Sequence, residues 1–364
     1  MRVQTLRLHQ FRNYESACLR PAPGVTVLHG ANAQGKTNLI EALYLCCVGR
    51  SHRTRKDAEL VRWGEAAARA EVEAERLDGP HAVAVTISPS QARKKQVRIN
   101  GTPVQRLGEM MGHLNAVLFS PEDLRLVKDG PEGRRRFLDM EMSQLQPAYF
   151  YALQRYARAL AQRNGLLRQL GGAGASPALT DTLDAWDEQL AHFGGQIAQR
   201  RRVYMEHLSE RARAIHAELS GGQEDLRLSY GTAVPNEAGL LAQLQSRRAE
   251  DLRRGSTGAG PHRDDFQILI NGHEARAFAS QGQQRTIALA LKLSELDVMR
   301  EALGEWPVLL LDDVMSELDA ARRRMLVGRM EKVQTIITCT RLEDLGGAGF
   351  EAAYRVEDGR MEGD

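Results

Sequence analysis

Eight consecutive residues carry the clearest chemistry in this sequence, Gly30-Ala31-Asn32-Ala33-Gln34-Gly35-Lys36-Thr37, in the pattern G-x-x-x-x-G-K-T. This pattern is typical of a phosphate-binding loop, because glycines let backbone N–H groups surround an anion and the lysine adds positive charge. The spacing predicts that Lys36 reaches the β- and γ-phosphates of a nucleotide and that the Thr37 hydroxyl helps to hold Mg²⁺. The alternative is a glycine turn that caps a helix.

The segments on either side of the loop have the composition that such a site needs. Val25–His29 is rich in β-branched residues and follows a proline-glycine turn, which predicts a strand. Residues 38–48 favour a helix that ends at Gly49. This order places the anion at a helix N-terminus, where the partial positive charge favours it. The flanks therefore favour a nucleotide site over a simple glycine turn.

Two acids end a second strand-like run, in which residues 308–311 are Val-Leu-Leu-Leu and are followed by Asp312 and Asp313. At the end of a parallel strand, Asp312 is expected to hold Mg²⁺ directly or through water. Asp313 is then placed to orient or deprotonate an attacking water. The alternative is an exposed acid pair at a strand end without a catalytic role. The presence of a phosphate loop in the same chain makes this alternative less favoured.

A third segment, Ser280-Gln281-Gly282-Gln283, precedes a strong helix former. Ser280 and Gln283 have the S-x-x-Q spacing of a capping box, which predicts a helix start. A buried helix with such a start can bind a second anion at its N-terminus. The alternative is a capped core helix without a ligand.

Composition bounds the class of protein. Charged residues make up 26% of the 364 residues and the formal net charge is +2, so the chain as a whole is not a polycation. No run reaches the ~18 apolar residues of a membrane span. The four cysteines form no C-x-x-C pair, and we expect them to be reduced and mostly buried. We therefore expect a cytoplasmic protein without a membrane partner.

The predicted secondary structure changes along the chain from mainly strands to mainly helices and back. We predict an α/β fold in which residues 1–120 and 256–364 form one discontinuous head with an antiparallel β lobe. Residues 121–255 are predicted to form an inserted helical arm, an antiparallel hairpin broken at 171–177 and weakened by Gly194-Gly195. Most arginines of the runs 134–136 and 200–202 are expected to lie on solvated faces.

A basic segment follows the helix that starts at the phosphate loop. It contains Arg53, Arg55 and Lys56, which are candidates for contact with DNA or with the nucleotide. A solvated charged loop is an equally good interpretation of this run.

Together these motifs resemble the cassette-type, SMC-like ATPases and, among them, the RecF family of bacterial recombination mediators. The order of phosphate loop, Ser-x-Gly-Gln and paired acids is more specific than any one motif. The resemblance covers nearly the whole chain, and it also rests on residues 10–14 (Gln-Phe-Arg-Asn-Tyr), 130–139, 260–265 (Gly-Pro-His-Arg-Asp-Asp) and 316–319 (Ser-Glu-Leu-Asp).

The resemblance implies several properties that spacing alone does not give. It implies an ABC-type head that binds ATP and Mg²⁺, dimerises head-to-tail when ATP is bound, and hydrolyses ATP slowly, stimulated by DNA. In this scheme Ser280, Gly282 and Gln283 contact the ATP of the second copy, and Arg12 and Asn13 lie near the nucleotide. Implied partners are single-stranded DNA or its junction with duplex, RecR and RecO, in recombinase loading and the SOS response.

Three departures from the family pattern concern hydrolysis. Gln281 stands where the cassette signature has glycine, no histidine follows residues 335–338, and no glutamine of the usual connecting loop is evident. Thr338 or Thr340 are candidates to replace the histidine. Two other classes remain open from the sequence: the motor subunit of a membrane transporter, and a non-hydrolysing structural DNA-binding adaptor.

Overall fold

The computed structural model describes residues 1–170 and 177–363. The glycine-rich break predicted at 171–177 lies, apart from Pro177, outside the described residues. The first third of the chain is strand-rich, as predicted, with one long helix: β1 (Arg2–Phe11), β2 (Tyr14–Leu19), β3 (Val25–His29), α1 (Lys36–Val48), β4 (Ala68–Arg76), β5 (Gly79–Ile87), β6 (Lys95–Ile99), β7 (Thr102–Val104) and β8 (Ala116–Phe119).

The middle of the chain is mainly helical: α2 (Arg125–Lys128), α3 (Pro131–Leu145), α4 (Pro147–Leu170), α5 (Pro177–Leu219), β9 (Leu226–Gly231), α6 (Glu237–Ser246) and α7 (Arg248–Arg254). The last third alternates: β10 (Asp265–Ile270), β11 (His273–Glu274), α8 (Ala275–Phe278), α9 (Gln281–Leu303), β12 (Val308–Asp312), α10 (Ala320–Met330), β13 (Thr335–Cys339), β14 (Ala352–Glu357) and β15 (Arg360–Gly363).

A six-stranded sheet in the order β15-β14-β3-β13-β12-β8 forms the centre of the head. Its strands are parallel except for the edge strand β15. Strands from both ends of the chain are therefore neighbours, and β13 lies between β3 and β12. Because carboxyl ends of parallel strands meet at one edge, the segments after β3, β13 and β12 converge there.

A second six-stranded sheet, β2-β1-β4-β5-β6-β7, is antiparallel. Helix α1 packs against β4 and β5 of this sheet and also contacts β8, β12 and β13 of the central sheet. The helix is buried on nearly all sides, because its residues face apolar layers on both sides. The turn between β1 and β2 reaches the phosphate loop from this second sheet.

The helical hairpin predicted for the arm is confirmed by the packing of α4 on α5. Arg201 Nε donates to the Tyr149 hydroxyl at 2.9 Å, and Arg163 Nε donates to Asp187 at 2.5 Å, so the two helices run in opposite directions. Helix α5 has 43 residues and runs through Gly194-Gly195 without a break. A Cβ on Gly195 would lie 2.9 Å from the Glu237 backbone nitrogen, so the glycines permit close packing of α6.

One arginine in each predicted solvated run is buried. Arg201 donates to Asp139 at 2.7 Å and to the Pro261 carbonyl at 2.8 Å. Arg134 forms a two-bonded ion pair with Asp265 at 2.8 and 2.7 Å. Burial requires such partners, because an unpaired charge in an apolar environment is strongly unfavourable. These two positions are therefore exceptions to the expectation that most of these arginines lie on solvated faces.

The predicted boundary near residue 256 divides a sheet. Strands β9 and β10 pair antiparallel, with Ile268 opposite Leu228, in the three-stranded sheet β11-β10-β9. Helices α5 and α9 also pack closely along one another. The segments before and after position 256 therefore share a core.

Three cysteines, Cys46, Cys47 and Cys339, are buried and Cys18 is exposed, and all four are free thiols, as expected. Across the part of the chain that the structure describes, no helix is both long and apolar enough to cross a membrane.

Candidate nucleotide site

The phosphate loop joins β3 to α1, as the sequence predicts. Gly35 caps α1 in a left-handed conformation with φ 117°. A Cβ at this position would lie 2.7 Å from Asn13 Nδ2 and 2.9 Å from the Tyr14 hydroxyl. Both the backbone angle and the lack of space therefore require glycine at position 35.

Two neighbouring turns hold the loop in place. From the β1–β2 turn, Asn13 Nδ2 donates to the Gln34 carbonyl at 2.9 Å, and the Tyr14 hydroxyl donates to the Gly35 carbonyl at 3.1 Å. From the β14–β15 turn, the Asp358 N–H donates to Gln34 Oε1 at 2.7 Å. These contacts fix the loop before any ligand arrives, which reduces the entropy lost on binding.

The Lys36 ammonium lies inside the loop that it belongs to. Its Nζ donates to the carbonyls of Gly30 at 2.6 Å and Ala31 at 2.7 Å. Burial lowers the pKa of Lys36, although Asp313, Cys339 and Asp312 act in the opposite direction. The cation is thus placed where a bound phosphate group would meet it.

Thr37, Asp312 and Thr338 meet at one carboxylate oxygen. Thr37 Oγ1 and Thr338 Oγ1 each donate to Asp312 Oδ1 at 2.8 Å. Thr338 Oγ1 also accepts the N–H of Asp313 at 2.9 Å. Hydroxyl and carboxylate oxygens are the ligands that Mg²⁺ prefers, so Thr37 and Asp312 fit the metal role predicted for them.

Asp313 has an unusual backbone, with φ 54° in the left-handed region. Such a conformation is costly for a non-glycine residue and often marks a functional site. Burial raises the pKa of Asp313, opposed by Lys36 and reinforced by Asp312, Asp344 and Glu317. A carboxylate with a raised pKa is a better proton acceptor near neutral pH, which fits the predicted role as a base.

Arg12 is bonded to α1 instead of to the phosphate loop. Its Nε and Nη2 donate to the two oxygens of Glu41, both at 2.8 Å, and Nη1 donates to the Glu59 carbonyl at 2.8 Å. Ser51 donates to Glu41 as well. Burial alone would raise the pKa of Glu41, but Arg12, Ser51 and Arg53 lower it below its ordinary value. Glu41 therefore stays a carboxylate that ties Arg12 to the nucleotide-binding helix.

The three basic candidates for DNA contact lie in different surroundings. Arg53 Nη1 donates to Asn38 Oδ1 at 2.8 Å, and Asn38 Nδ2 donates to Asn13, so Arg53 belongs to the network beside the phosphate loop. Arg55 pairs with Glu132 at 2.9 Å and Lys56 lies 3.8 Å from Glu59, both in exposed positions. The DNA assignment of these residues stays a prediction.

The segment at 280–283 forms the capping box that its spacing predicts. The Ser280 N–H donates to Gln283 Oε1 at 2.8 Å, and the Gln283 N–H donates to Ser280 Oγ at 3.3 Å. Residues 280–282 are exposed. Among the residues that the structure describes, no hydrogen bond joins 280–283 to the phosphate loop or to the acid pair.

This helix start is linked instead to the loop at 316–319. Arg285 pairs with Glu317 at 2.7 Å, and Arg322 donates to the Gly282 carbonyl at 3.1 Å while also pairing with Asp319. Residues 280–285 and 316–322 therefore form one continuous patch, which we call the signature surface.

Sequence reasoning did not foresee several residues that shape the site. Tyr14, Glu41 and Asp358 were not assigned roles, and Thr338 was only one of two candidates. Thr340 lies 3.5 Å from Asn32, at the limit of a hydrogen bond, whereas Thr338 contacts both acids. A lone carboxylate in the apolar helix α1 was the available signal for Glu41, because a buried charge needs a partner.

Known proteins share both the sequence and the fold of this chain. Residues 2–360 match the sequence model of the RecF/RecN/SMC N terminal domain family. The fold is similar to the Smc head domain of Pyrococcus furiosus, with a TM-score of 0.58 and 17% identity over 100% of this chain and 96% of that one. At that identity the likeness concerns the fold alone. The fold and the site thus define an ABC-type ATPase head of the SMC class, which confirms the predicted α/β fold.

Closer relatives narrow the class. The chain is 41% identical to the DNA replication and repair protein RecF of Lachnoclostridium phytofermentans, over 100% of this chain and 99% of that protein. It is also similar to a structure of the recombination mediator protein RecF with ATP in the RecFOR pathway, with a TM-score of 0.92 and 35% identity over 100% and 97% of the two chains. The chain belongs to the RecF family of DNA replication and repair proteins.

Proposed function

We propose that this protein is an ATP-switched DNA-binding ATPase of recombinational repair and replication restart. Two copies would join head-to-tail on DNA when ATP is bound, and slow hydrolysis would release them. One observation carries the proposal: the phosphate loop and the acid pair are bonded together within the chain, while residues 280–282 at the start of α9 are exposed and make no hydrogen bond to either in the described part of the chain. A nucleotide held by the first half can therefore meet the second half of another copy.

The chain's own residues have distinct roles in this proposal. Residues 30–37 hold the phosphates through backbone N–H groups and the Lys36 ammonium. When bound, Mg²⁺ supplies charge neutralisation of the phosphates, and Thr37 and Asp312 would hold it. Asp313 accepts a proton from the attacking water, and Thr338 fixes both acids in position. Asn13 fixes the phosphate loop, and Arg12 fixes α1, relative to the second sheet.

On the partner copy, Ser280, Gly282 and Gln283 would complete the site. The exposed N-terminus of α9 favours an anion, because backbone N–H groups and the helix dipole both point outward there. The signature surface also includes residues 316–319, so closure would bring the acid pair's neighbouring loop to the same interface. Gln281 in place of glycine leaves a larger side chain at this contact.

We further propose that residues 1–120 and 256–364 act as the ATPase head and residues 121–255 as the arm that reports closure. The pairing of β9 with β10 and the packing of α5 on α9 support mechanical coupling across the boundary. By its family, the protein would act with RecO and RecR in loading the recombinase on single-stranded DNA or its junction with duplex, and so support the SOS response.

Light scattering and DNA binding test the proposal together. ATP should raise the scattering mass of wild type and should tighten its binding to labelled gapped, duplex or single-stranded DNA. Lys36→Met should lose both effects, because the charge-assisted phosphate contacts contribute about 1.5–3 kcal/mol, a roughly 10- to 150-fold change in affinity. Lys128→Met, at an exposed lysine of α2, is the matched control.

The salt dependence of DNA affinity separates this function from others. Binding to backbone phosphates releases counterions, so affinity should fall steeply as salt rises. An unchanged scattering mass when ATP is added to wild type, or a flat salt response of DNA binding, would show the proposed function to be wrong.

A further inference from the structure

A cleft of about 930 Å³ lies beside the nucleotide site, between the head and the arm. One wall is the segment that follows α1, including Arg50, Ser51 and Thr54. The opposite wall is formed by α3 and α4 of the arm. Its size is in the range of ligand-binding clefts, so its chemistry decides what it can hold.

Helix α4 presents an apolar stripe to this cleft. Phe150, Leu153, Ala157 and Leu160 line it at the spacing i, i+3, i+7, i+10, which places them on one side of the helix. Leu153 and Leu160 are half-buried and Ala157 is exposed. Leu153 and Leu160 also pack against the hydrophobic core, and Phe150 is 5% exposed, so the accessible part of the stripe is Ala157 and the outer faces of the two leucines.

The acids that line the cleft are all paired. Asp57 bonds to Lys95 at 2.8 Å, Glu132 to Arg55 at 2.9 Å, and Asp139 to Arg201 at 2.7 Å. Each of these pairs is neutral overall, so none adds net charge to the cleft.

Three arginines of the same cleft have no carboxylate partner. The guanidinium groups of Arg50 and Arg136 make no hydrogen bond or ion pair with any residue that the structure describes. Arg135 donates to a backbone carbonyl, that of Asp264, at 2.7 Å. The lining thus carries three arginines with no bonded carboxylate beside an apolar stripe.

We propose that this cleft binds a short acidic segment of a partner protein whose apolar side chains alternate with carboxylates. The apolar side chains would cover the stripe of α4, and the carboxylates would pair with Arg50, Arg135 and Arg136. This goes beyond the ATP and DNA functions proposed above.

The lining favours a peptide over nucleic acid. Single-stranded nucleic acids bind through exposed aromatic rings on which bases stack. The aromatic rings of Phe150 and Tyr156 here are each 5% exposed, so they offer no stacking face.

Occupancy of the cleft is linked to the nucleotide site through Ser51. Its hydroxyl donates to Glu41 and accepts the N–H groups of Arg53 at 2.9 Å and Thr54 at 3.0 Å. Glu41 in turn holds Arg12. A partner that contacts Arg50 and Thr54 therefore binds the same turn that is hydrogen-bonded to α1, the helix that follows the phosphate loop.

A displayed library of random twelve-residue peptides, selected on the full-length protein, tests this proposal. Selected peptides should be enriched in Asp and Glu interspersed with Leu, Ile or Phe. Labelled versions should bind Arg136→Glu and Ala157→Glu at least tenfold more weakly than wild type by fluorescence anisotropy. Arg158→Glu, which makes the same charge change outside the cleft lining, should bind them normally.

The other outcomes overturn the proposal. It is wrong if no acidic peptides are enriched, or if Arg136→Glu and Arg158→Glu weaken binding equally. A 20-nucleotide oligothymidylate is added as a competitor of the labelled peptide. If it binds wild type and Arg158→Glu but not Arg136→Glu, the cleft is a nucleic-acid site and the proposal is wrong. ATP-dependent light scattering of the same variants, measured in parallel, reports on the proposed ATPase function independently of peptide binding.

Discussion

The two halves of the proposed ATP site differ in how they are held. The phosphate-loop half is fixed by contacts from three strands and two turns, including Asn13 to Gln34 and Thr338 to both acids. The signature surface is exposed at residues 280–282, and its internal contacts include its capping box and two ion pairs, Arg285–Glu317 and Arg322–Asp319. Gln283 also donates to Glu224 at 2.8 Å, and Ser316 donates to the Asp313 carbonyl at 3.3 Å. The first half is preorganised to bind a nucleotide. The second half is the solvent-exposed N-terminus of α9.

This difference indicates a division of labour. A preorganised half can bind ATP in a single copy, because little ordering is needed on binding. In the proposed dimer, the exposed half would contribute when a second copy approaches, so the energy of its anion contact would drive association. Substitutions in the two halves should therefore separate ATP binding, dimerisation and hydrolysis.

Replacing Asp313 by Asn should produce the largest effect. The variant keeps the size of the side chain but cannot accept a proton, and general-base catalysis contributes roughly 10²–10⁴-fold. We expect phosphate release to fall by at least about 100-fold while ATP affinity is retained and the dimer persists. Phosphate release by a coupled assay and light scattering measure the two properties.

Two results would contradict this role for Asp313. One is a dimer of Asp313→Asn that dissociates as fast as that of wild type, and the other is undiminished hydrolysis. Glu343→Gln, at an exposed acid outside the site, is the control for loss of one negative charge.

Replacing Ser280 by Asp should separate the halves most cleanly. Aspartate caps a helix as well as serine does, so the fold of α9 should be kept. Its charge would repel the phosphates of a second copy's ATP, so the protein concentration needed for ATP-dependent dimers should rise at least tenfold. ATP affinity of the single copy should not change.

The matched control is Asn236→Asp at the exposed N-cap of α6, where the Asn236 side chain accepts the Gly239 N–H at 2.8 Å. If Ser280→Asp dimerises as well as this control, the signature surface does not face the ATP of the second copy, and the proposed difference between the two halves is wrong.

The motifs of the site could be predicted because each depends on local sequence. The strand, the loop and α1 follow from β-branched residues, glycines and helix formers within about 25 positions. The capping box at Ser280 needs only four residues. These patterns express backbone geometry and hydrogen bonding that the neighbouring residues decide by themselves.

The rest depends on contacts between distant parts of the chain. Arg163 is buried because Asp187 and Asp251 come to it from α5 and α7, which spacing in α4 cannot reveal. Glycine weakens a helix by about 1 kcal/mol, and the packing of α6 on α5 outweighs that cost at Gly194-Gly195. Likewise, the choice of Thr338 over Thr340 follows from β13 lying between β3 and β12.

Replacing Thr338 by Val tests whether the acids need their shared hydroxyl. Valine has a similar shape, but it leaves Asp312 without one donor and the Asp313 N–H without its acceptor. An unsatisfied buried polar group costs about 1–3 kcal/mol, so we expect hydrolysis to fall about tenfold with a smaller change in ATP affinity. Thr338→Ser, which keeps the hydroxyl, should restore most of the rate. Equal rates for the Val and Ser variants would show that packing, and not the hydrogen bonds, matters at this position.

Replacing Glu317 by Gln should have the smallest effect on ATP-dependent dimerisation. It tests whether the signature surface is rigid within one copy. The Arg285–Glu317 pair is 42% exposed on both sides, and exposed ion pairs contribute only about 0.2–1 kcal/mol. If the signature surface is already rigid, ATP-dependent dimerisation should weaken less than about fivefold in this variant, with ATP affinity unchanged. If dimerisation is instead lost, the ion pair does more than hold one copy together. Glu317 would then belong to the contact between copies, and the exposed half would depend on its acids as strictly as the buried half depends on Asp312.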